Sequence, residues 1–352
     1  MTNSNSFIAH LHAFRGFAIL NVVGAHCWSF MIFWTGDLSS EAIKWLFWFT
    51  ETIFHGSTIY FAIISGLLFS KILKSRGQSA FYKSKFYNVL LPYVLVTLVL
   101  TAYYWPYFLQ NPEINNTLTD FIRVASNNIF TGSGAIHFWY IPVLTVMFLI
   151  TFLLSWLQQN SNKATWLLML FPLVISRSPF PDFLKPQSFV FFIGAYVVGM
   201  AMGRHYDRVK QWLSNNLKAV FLVAITTSVT IYLTYSNGYE PEGFYSVRQS
   251  LIYLQKIAIS LLVLHWFSAK EQHLPQWLST LGNYAFAIFF LHVVFIDLII
   301  QSVRGVLASS RTVELIALFG SFNFIAGILG SILVAAIVKQ LLGKYSRKIV
   351  GV

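Results

Sequence analysis

A single cysteine, Cys27, stands among 352 residues, so the chain forms no internal disulfide and no cysteine-ligated metal site. It lies inside an apolar run and reads as packing. Charge is scarce too: Asp, Glu, Lys and Arg make up 10% of the chain, where a water-soluble domain carries roughly a quarter. That deficit excludes water as the main solvent. Walker loops, GxSxG elbows, HExxH helices and paired CxxC units are all missing, which removes the common nucleotide, serine-hydrolase and zinc chemistries. Nor is there a repeat, a low-complexity tract or a separate soluble region, so residues 1–352 read as one transmembrane unit.

What the chain does have is apolar length: 56% hydrophobic residues, 18% aromatic, and a mean hydropathy of +0.63. A backbone crossing lipid must satisfy its own hydrogen bonds, so apolar runs near 20 residues read as helices spanning about 30 Å. Ten runs can be placed, at 14–34, 51–71, 87–109, 137–157, 164–178, 187–203, 217–236, 249–268, 277–301 and 313–338. The fold class expected is all-α, a polytopic integral membrane bundle of about ten transmembrane helices. The fifth run is short and contains Pro172, which predicts a kinked, tilted or partly re-entrant segment. The first run begins with Arg15, is too long for a signal peptide and lacks a small-residue cleavage site, so it reads as a membrane helix.

The net charge of +12 sits at the ends of the runs, where topology explains it and nucleic-acid binding is not implied. Fifteen Lys and Arg fall in one set of alternate connections. Seven fall in the other: Lys44, Arg123, Arg177, Lys185, Arg248, Arg304 and Arg311, together with Asp37, Glu41, Glu113, Asp120, Asp182, Glu240 and Glu242. The positive-inside rule then makes both termini cytoplasmic.

Polar residues at membrane depth are costly and mark functional candidates. Eleven residues at 100° each bring His26 to within about 20° of Arg15 on the first helix, with roughly 16 Å between them along the axis. This spacing allows an arginine that holds an anionic co-substrate at the inner surface and an imidazole that moves a proton deeper in. A snorkelling arginine and a histidine bonded between helices would have the same spacing. His55, His137 and His292 occupy the outer half with many aromatics, a composition suited to sugar rings. For Trp139 and Tyr140 an interfacial aromatic belt is the favoured alternative. No two of these histidines lie at i, i+3 or i+4, so no metal site is expected. Lys256 is the one lysine well inside a run and needs a partner, with Asp297 and Glu51 as candidates.

These residues come in a recognisable order. Arg15, Gly16 and His26 in the first helix, FAIISGLLFSK from Phe61 to Lys71, LLPY from Leu90 to Tyr93, HFWYIPV from His137 to Val143 and FFLHVVF around His292 together resemble the acyltransferase 3 family of membrane O-acyltransferases. The chain departs from the family pattern at His12 and Ala13, where Asp or Asn is usual, and at Leu67, where an aromatic is common. The resemblance implies transfer of an acyl group, commonly acetyl, from cytoplasmic acyl-CoA to a hydroxyl of a cell-envelope carbohydrate, by a protein of the bacterial inner membrane. It implies no bound cofactor, with acyl-CoA as co-substrate and the bilayer and a glycan as partners. On this reading His26, as general base or as a nucleophile that carries the acyl group transiently, and Arg15 are catalytic, and Arg15, Lys71, Ser65 and Gly66 bind the donor. His137, Trp139, His292 and His55 bind the acceptor. A multi-helix exporter of a glycan or lipid, without acyl chemistry, is the alternative reading of buried polar residues in such a bundle.

Overall fold

The computed structural model describes residues 4–35, 38, 40–179, 182–239 and 244–352. Asp37, Glu240 and Glu242 of the charge pattern lie outside the described residues. Among the described residues every regular element is helical. Nine stretches of the described residues are long and apolar enough to cross a membrane: Ala9–Phe33, Glu41–Arg76, Gln78–Tyr103, Tyr140–Asn160, Pro186–Arg204, Tyr206–Ser236, Val247–Ala269, Gln276–Leu307 and Val313–Ile349.

The second of these is not one continuous helix. Following α1 (Ser4–Thr35), it consists of α2 (Glu41–Phe54), α3 (Thr58–Leu68), a π-helical turn at Phe69–Leu73 and a 3-10 turn at Lys74–Arg76, with a break between α2 and α3 at which Gly56 adopts a left-handed φ of 73°. The third comprises α4 (Gln78–Lys85), a π-helical turn and α5 (Leu91–Tyr103). Outside the spans lie the short α6 (Trp105–Phe108) and α7 (Leu118–Thr131), the latter capped by Thr117 Oγ1, which accepts from the Asp120 amide at 3.1 Å. Then come α8 (Tyr140–Asn160) and α9 (Asn162–Leu170), followed by α10 (Pro186–Arg204), α11 (Tyr206–Ser236), α12 (Val247–Ala269), α13 (Gln276–Ser309), α14 (Val313–Leu342) and α15 (Ser346–Ile349).

The predicted fifth span is this nine-residue α9 and a 3-10 turn at Phe171–Leu173. Pro172 has no N–H and cannot continue the α-helical ladder. Neighbouring hydroxyls take up the carbonyls so left over: Tyr253 donates to the Met169 carbonyl at 2.8 Å and Ser250 to that of Leu173 at 3.0 Å. The chain enters this segment next to Arg204, which donates to the Gln158 carbonyl, and leaves it next to Phe244 and Ser246 at the opposite end of the bundle. A short irregular segment therefore makes the crossing, and the alternation of ends is preserved.

Both termini lie at the same end. His10 pairs with Glu271 at 3.0 Å and with the Tyr206 hydroxyl at 2.7 Å, while Lys348 stands 4.7 Å over the Tyr87 ring. This is the end that carries the fifteen basic residues.

Helix α1 sits at the centre, packed against α2, α3, α12, α13 and α14. Glycines let its neighbours approach closely. A Cβ on Gly282 of α13 would lie 1.9 Å from the His12 carbonyl oxygen, and one on Gly16 would lie 2.3 Å from that of Leu278. The same device joins α3 to α10, where a Cβ on Gly199 would meet the Ile63 oxygen at 1.9 Å and one on Gly66 the Tyr196 oxygen at 2.1 Å.

Candidate active site

One face of α1 lines two cavities at opposite ends of the bundle. The cavity at the end away from the termini, named outer for the expected orientation, is about 570 Å³ and takes Val22, Ala25, His26, Ser29, Phe30 and Phe33 from α1, a run at helical spacing. His55 and Ser57 come from the α2–α3 break, with Glu51 just before it; His137 and Trp139 precede α8, Arg177 and Phe183 follow α9, and Phe289 belongs to α13. Its volume falls in the range of small-molecule sites. The inner cavity, about 200 Å³, takes Leu11, His12 and Arg15 from α1 and Leu68, Ile72, Leu73 and Arg76 from the end of the second span. Between the two, the fully buried Ala18 and Ile19 continue the α1 face.

Three histidines from three segments meet at the outer cavity, His26 and His137 on its lining and His292 directly behind them. The His26 ring centroid lies 5.9 Å from that of His137 and 5.4 Å from that of His292, and His137 and His292 are 4.6 Å apart. His292 contacts the Ile288 and Phe289 carbonyls through Nδ1, at 2.8 and 3.1 Å. Carbonyls only accept, so Nδ1 carries the proton and Nε2 keeps a lone pair. That Nε2 is buried and makes no hydrogen bond within the protein, and the His137 ring stands edge-on against Phe289 at 5.0 Å. Among the described residues no group of three or more His, Cys, Asp or Glu side chains is arranged to hold a metal ion.

A second polar group lines the wall. Glu51 accepts from the Ser29 hydroxyl at 2.6 Å and pairs with His55 Nδ1 at 2.6 Å, and His55 Nε2 meets the Arg177 guanidinium. The break at Gly56 ends α2 and leaves its last carbonyls without helical partners. Lys256 Nζ donates to the Ile53 carbonyl at 2.6 Å and Gln255 Nε2 to that of Thr52 at 3.0 Å. This corrects the expected partner of Lys256: it is fully buried and paired, but with a helix-terminal carbonyl instead of Asp297 or Glu51. A cation there also faces the negative end of the α2 dipole. Asp297 instead bonds Gln301 at 2.8 Å and Tyr104 at 3.2 Å.

The predicted site residues divide between the two ends. His26, His55, His137 and Trp139 line the outer cavity, and His292 lies directly behind it. Arg15 lines the inner cavity with its guanidinium 5.3 Å over the Phe286 ring. Lys71 is at the same end, 3.9 Å from Asp207 and 5.1 Å over the Tyr206 ring. Gly66 packs α3 against α10, and its neighbour Ser65 is half-buried beside that contact. Trp139 and Tyr140 do not form a lipid-facing belt: they are 8% and 2% exposed, and Trp139 stacks on Phe183 at 4.6 Å inside the bundle. Ser29 and Arg177 also line this cavity without standing out in the sequence, where Glu51 is visible only as a candidate partner for Lys256. The i, i+4 spacing of Glu51 and His55 was the available signal for that pair. Arg177 had none, because a loop arginine conforms to the topology rule wherever its side chain goes.

No curated protein and no solved structure matches the chain. The model of the Acyltransferase domain family, acyltransferase 3, matches residues 8–339, nearly its whole length. With nine apolar spans among the described residues and the Arg15, Gly16 and His26 run in place, the chain belongs to the acyltransferase 3 family and is an integral membrane acyltransferase.

Proposed function

We propose that this protein moves an acyl group, acetyl being the simplest case, from cytoplasmic acyl-CoA to a hydroxyl of a cell-envelope carbohydrate across a bacterial inner membrane. The observation that carries the reading is that one face of α1 presents Arg15 to one cavity and His26 to the other. CoA is rich in phosphate, and a guanidinium with its planar fork of donors suits it. Arg15, with Arg76 in the same cavity and Lys71 at the same end, forms the donor end. The aromatic walls of the outer cavity, Trp139, Phe183 and Phe30 among them, suit a sugar ring.

At the reacting centre a neutral His26 takes the proton of the acceptor hydroxyl as its oxygen attacks the thioester carbonyl. A carbon–oxygen bond forms, the carbon–sulfur bond breaks, and the imidazolium returns its proton to the departing thiolate. His292, with Nε2 as an acceptor, and His137 orient the hydroxyl and the carbonyl. His55 belongs to the acceptor wall.

The purified protein in lipid nanodiscs, given acyl-CoA, tests this. Free thiol should be released in step with acylation of an added glycan. A permease would bind glycan without releasing thiol, and that result would overturn the reading.

A further inference from the structure

The wall of the outer cavity carries a hydrogen-bond chain that the transfer of an acyl group to a hydroxyl does not itself require. Carboxylate oxygens only accept, so His55 Nδ1 donates to Glu51 Oε2 at 2.6 Å and its Nε2 is left as an acceptor. A guanidinium only donates, so Arg177 Nη2 supplies the hydrogen to that Nε2. The chain therefore runs in one direction, from Arg177 through His55 to Glu51, whose other oxygen is taken by Ser29 at 2.6 Å. Arg177 Nε donates to Gln249 Oε1 at 3.2 Å, and the guanidinium stands 5.8 Å from the centroid of the Trp139 ring. Its plane is thus held by two hydrogen bonds and an aromatic face, on the lining of a cavity whose other walls are largely apolar. Among the described residues Arg177 forms no ion pair.

A guanidinium placed in this way is preorganised for a planar or tetrahedral oxyanion, to which it can offer two parallel N–H groups. We infer that Arg177 sets the specificity of the outer cavity for an acceptor that carries an anionic group, a carboxylate or a phosphate. The inference rests on the acyl-transfer reading of that cavity. A carboxylate would belong to an acidic sugar, a phosphate to a lipid carrier. Glu51 and His55 act as positioning residues: they hold Arg177 from behind and leave its outer edge to the ligand.

The test uses the full chain in nanodiscs and isothermal titration without donor. One pair of probes is a hexuronic-acid oligosaccharide and the same oligosaccharide with its carboxyls reduced to hydroxymethyl groups; the other is a polyprenyl-phosphate-linked sugar and the free sugar. The native protein should prefer the anionic member of one pair by at least about tenfold, and that pair identifies the source of the charge. Arg177→Gln should lose the preference, and Arg177→Lys, which keeps the charge but not the fork, should retain part of it while reporting on folding. Equal affinity within both pairs, no binding to any probe, or a preference that survives in Arg177→Gln would overturn the inference. Acyl-CoA is then added. Charge-selective binding with no acylated product would count against the acyl-transfer reading and leave the binding site standing, whereas equal acylation of charged and neutral members would leave the reading standing and overturn the inference.

Discussion

At the scale of single residues, Arg15 and His26 share one helix face but occupy different cavities, so their loss should have different kinetic signatures. Arg15→Ala should raise KM for acyl-CoA more than it lowers kcat, because it removes binding that is present before bond making. His26→Ala should lower kcat by roughly two to four orders of magnitude with donor affinity retained, the usual loss when a general base is removed. Initial rates over an acyl-CoA titration on each folded variant separate the two. Full turnover by His26→Ala would remove it from the chemistry. The eleven-residue spacing made this pair legible in the sequence, since helical phase depends only on local geometry. The gathering of His137 and His292 around His26 was not legible, because it depends on how three segments rotate and slide against one another. For the same reason the partner of Lys256 could not be read: an acidic residue is a visible candidate, whereas a carbonyl freed by a helix break leaves no mark in composition.

At the scale of elements, the site depends on two local devices, a broken helix and a close helix crossing. The break between α2 and α3 puts His55 on the cavity wall and is held by Lys256 and Gln255 of α12. Lys256→Met should leave the Ile53 carbonyl buried without a partner, at a cost of about 1–3 kcal/mol, and should lower both the thermal midpoint and the turnover. The crossing of α1 and α13 brings His26 to within ring contact of His292 and depends on Gly282. Gly282→Ala must push the His12 backbone away, and overpacking of this kind costs about 1–3 kcal/mol. Thermal unfolding in detergent measures both effects, and a Gly282→Ala protein with unchanged midpoint and activity would show that the crossing is not required. Hydropathy located the spans well because lipid imposes length and apolarity directly. It hid the break, since the run around Gly56 stays apolar on average, and it placed the start of α1 too late, because residues 4–13 are helical but less apolar. Hydropathy also gives no sign of the amphipathic α7, although Thr117 and Asp120 are spaced as an N-cap and its partner.

For the whole molecule, the proposed donor and acceptor cavities lie at opposite ends of the bundle. Both termini and the basic connections share the end that holds the Arg15 cavity, and the histidine cavity lies toward the other end. The proposal places the basic end in the cytoplasm on the positive-inside rule, so a reporter fused at Val352 should be active only where it reads out that compartment, and activity on the other side would reverse the orientation. The most direct measurement reconstitutes the protein in sealed vesicles with its orientation scored by protease access to the C-terminus. Acyl-CoA, which does not cross the bilayer, is supplied on one face and the glycan acceptor on the other. Acylated glycan should form only when acyl-CoA is on the face that bears the termini and the acceptor is on the opposite face. Product formed only when donor and acceptor share a face, or formed equally with the two faces exchanged, would contradict the account.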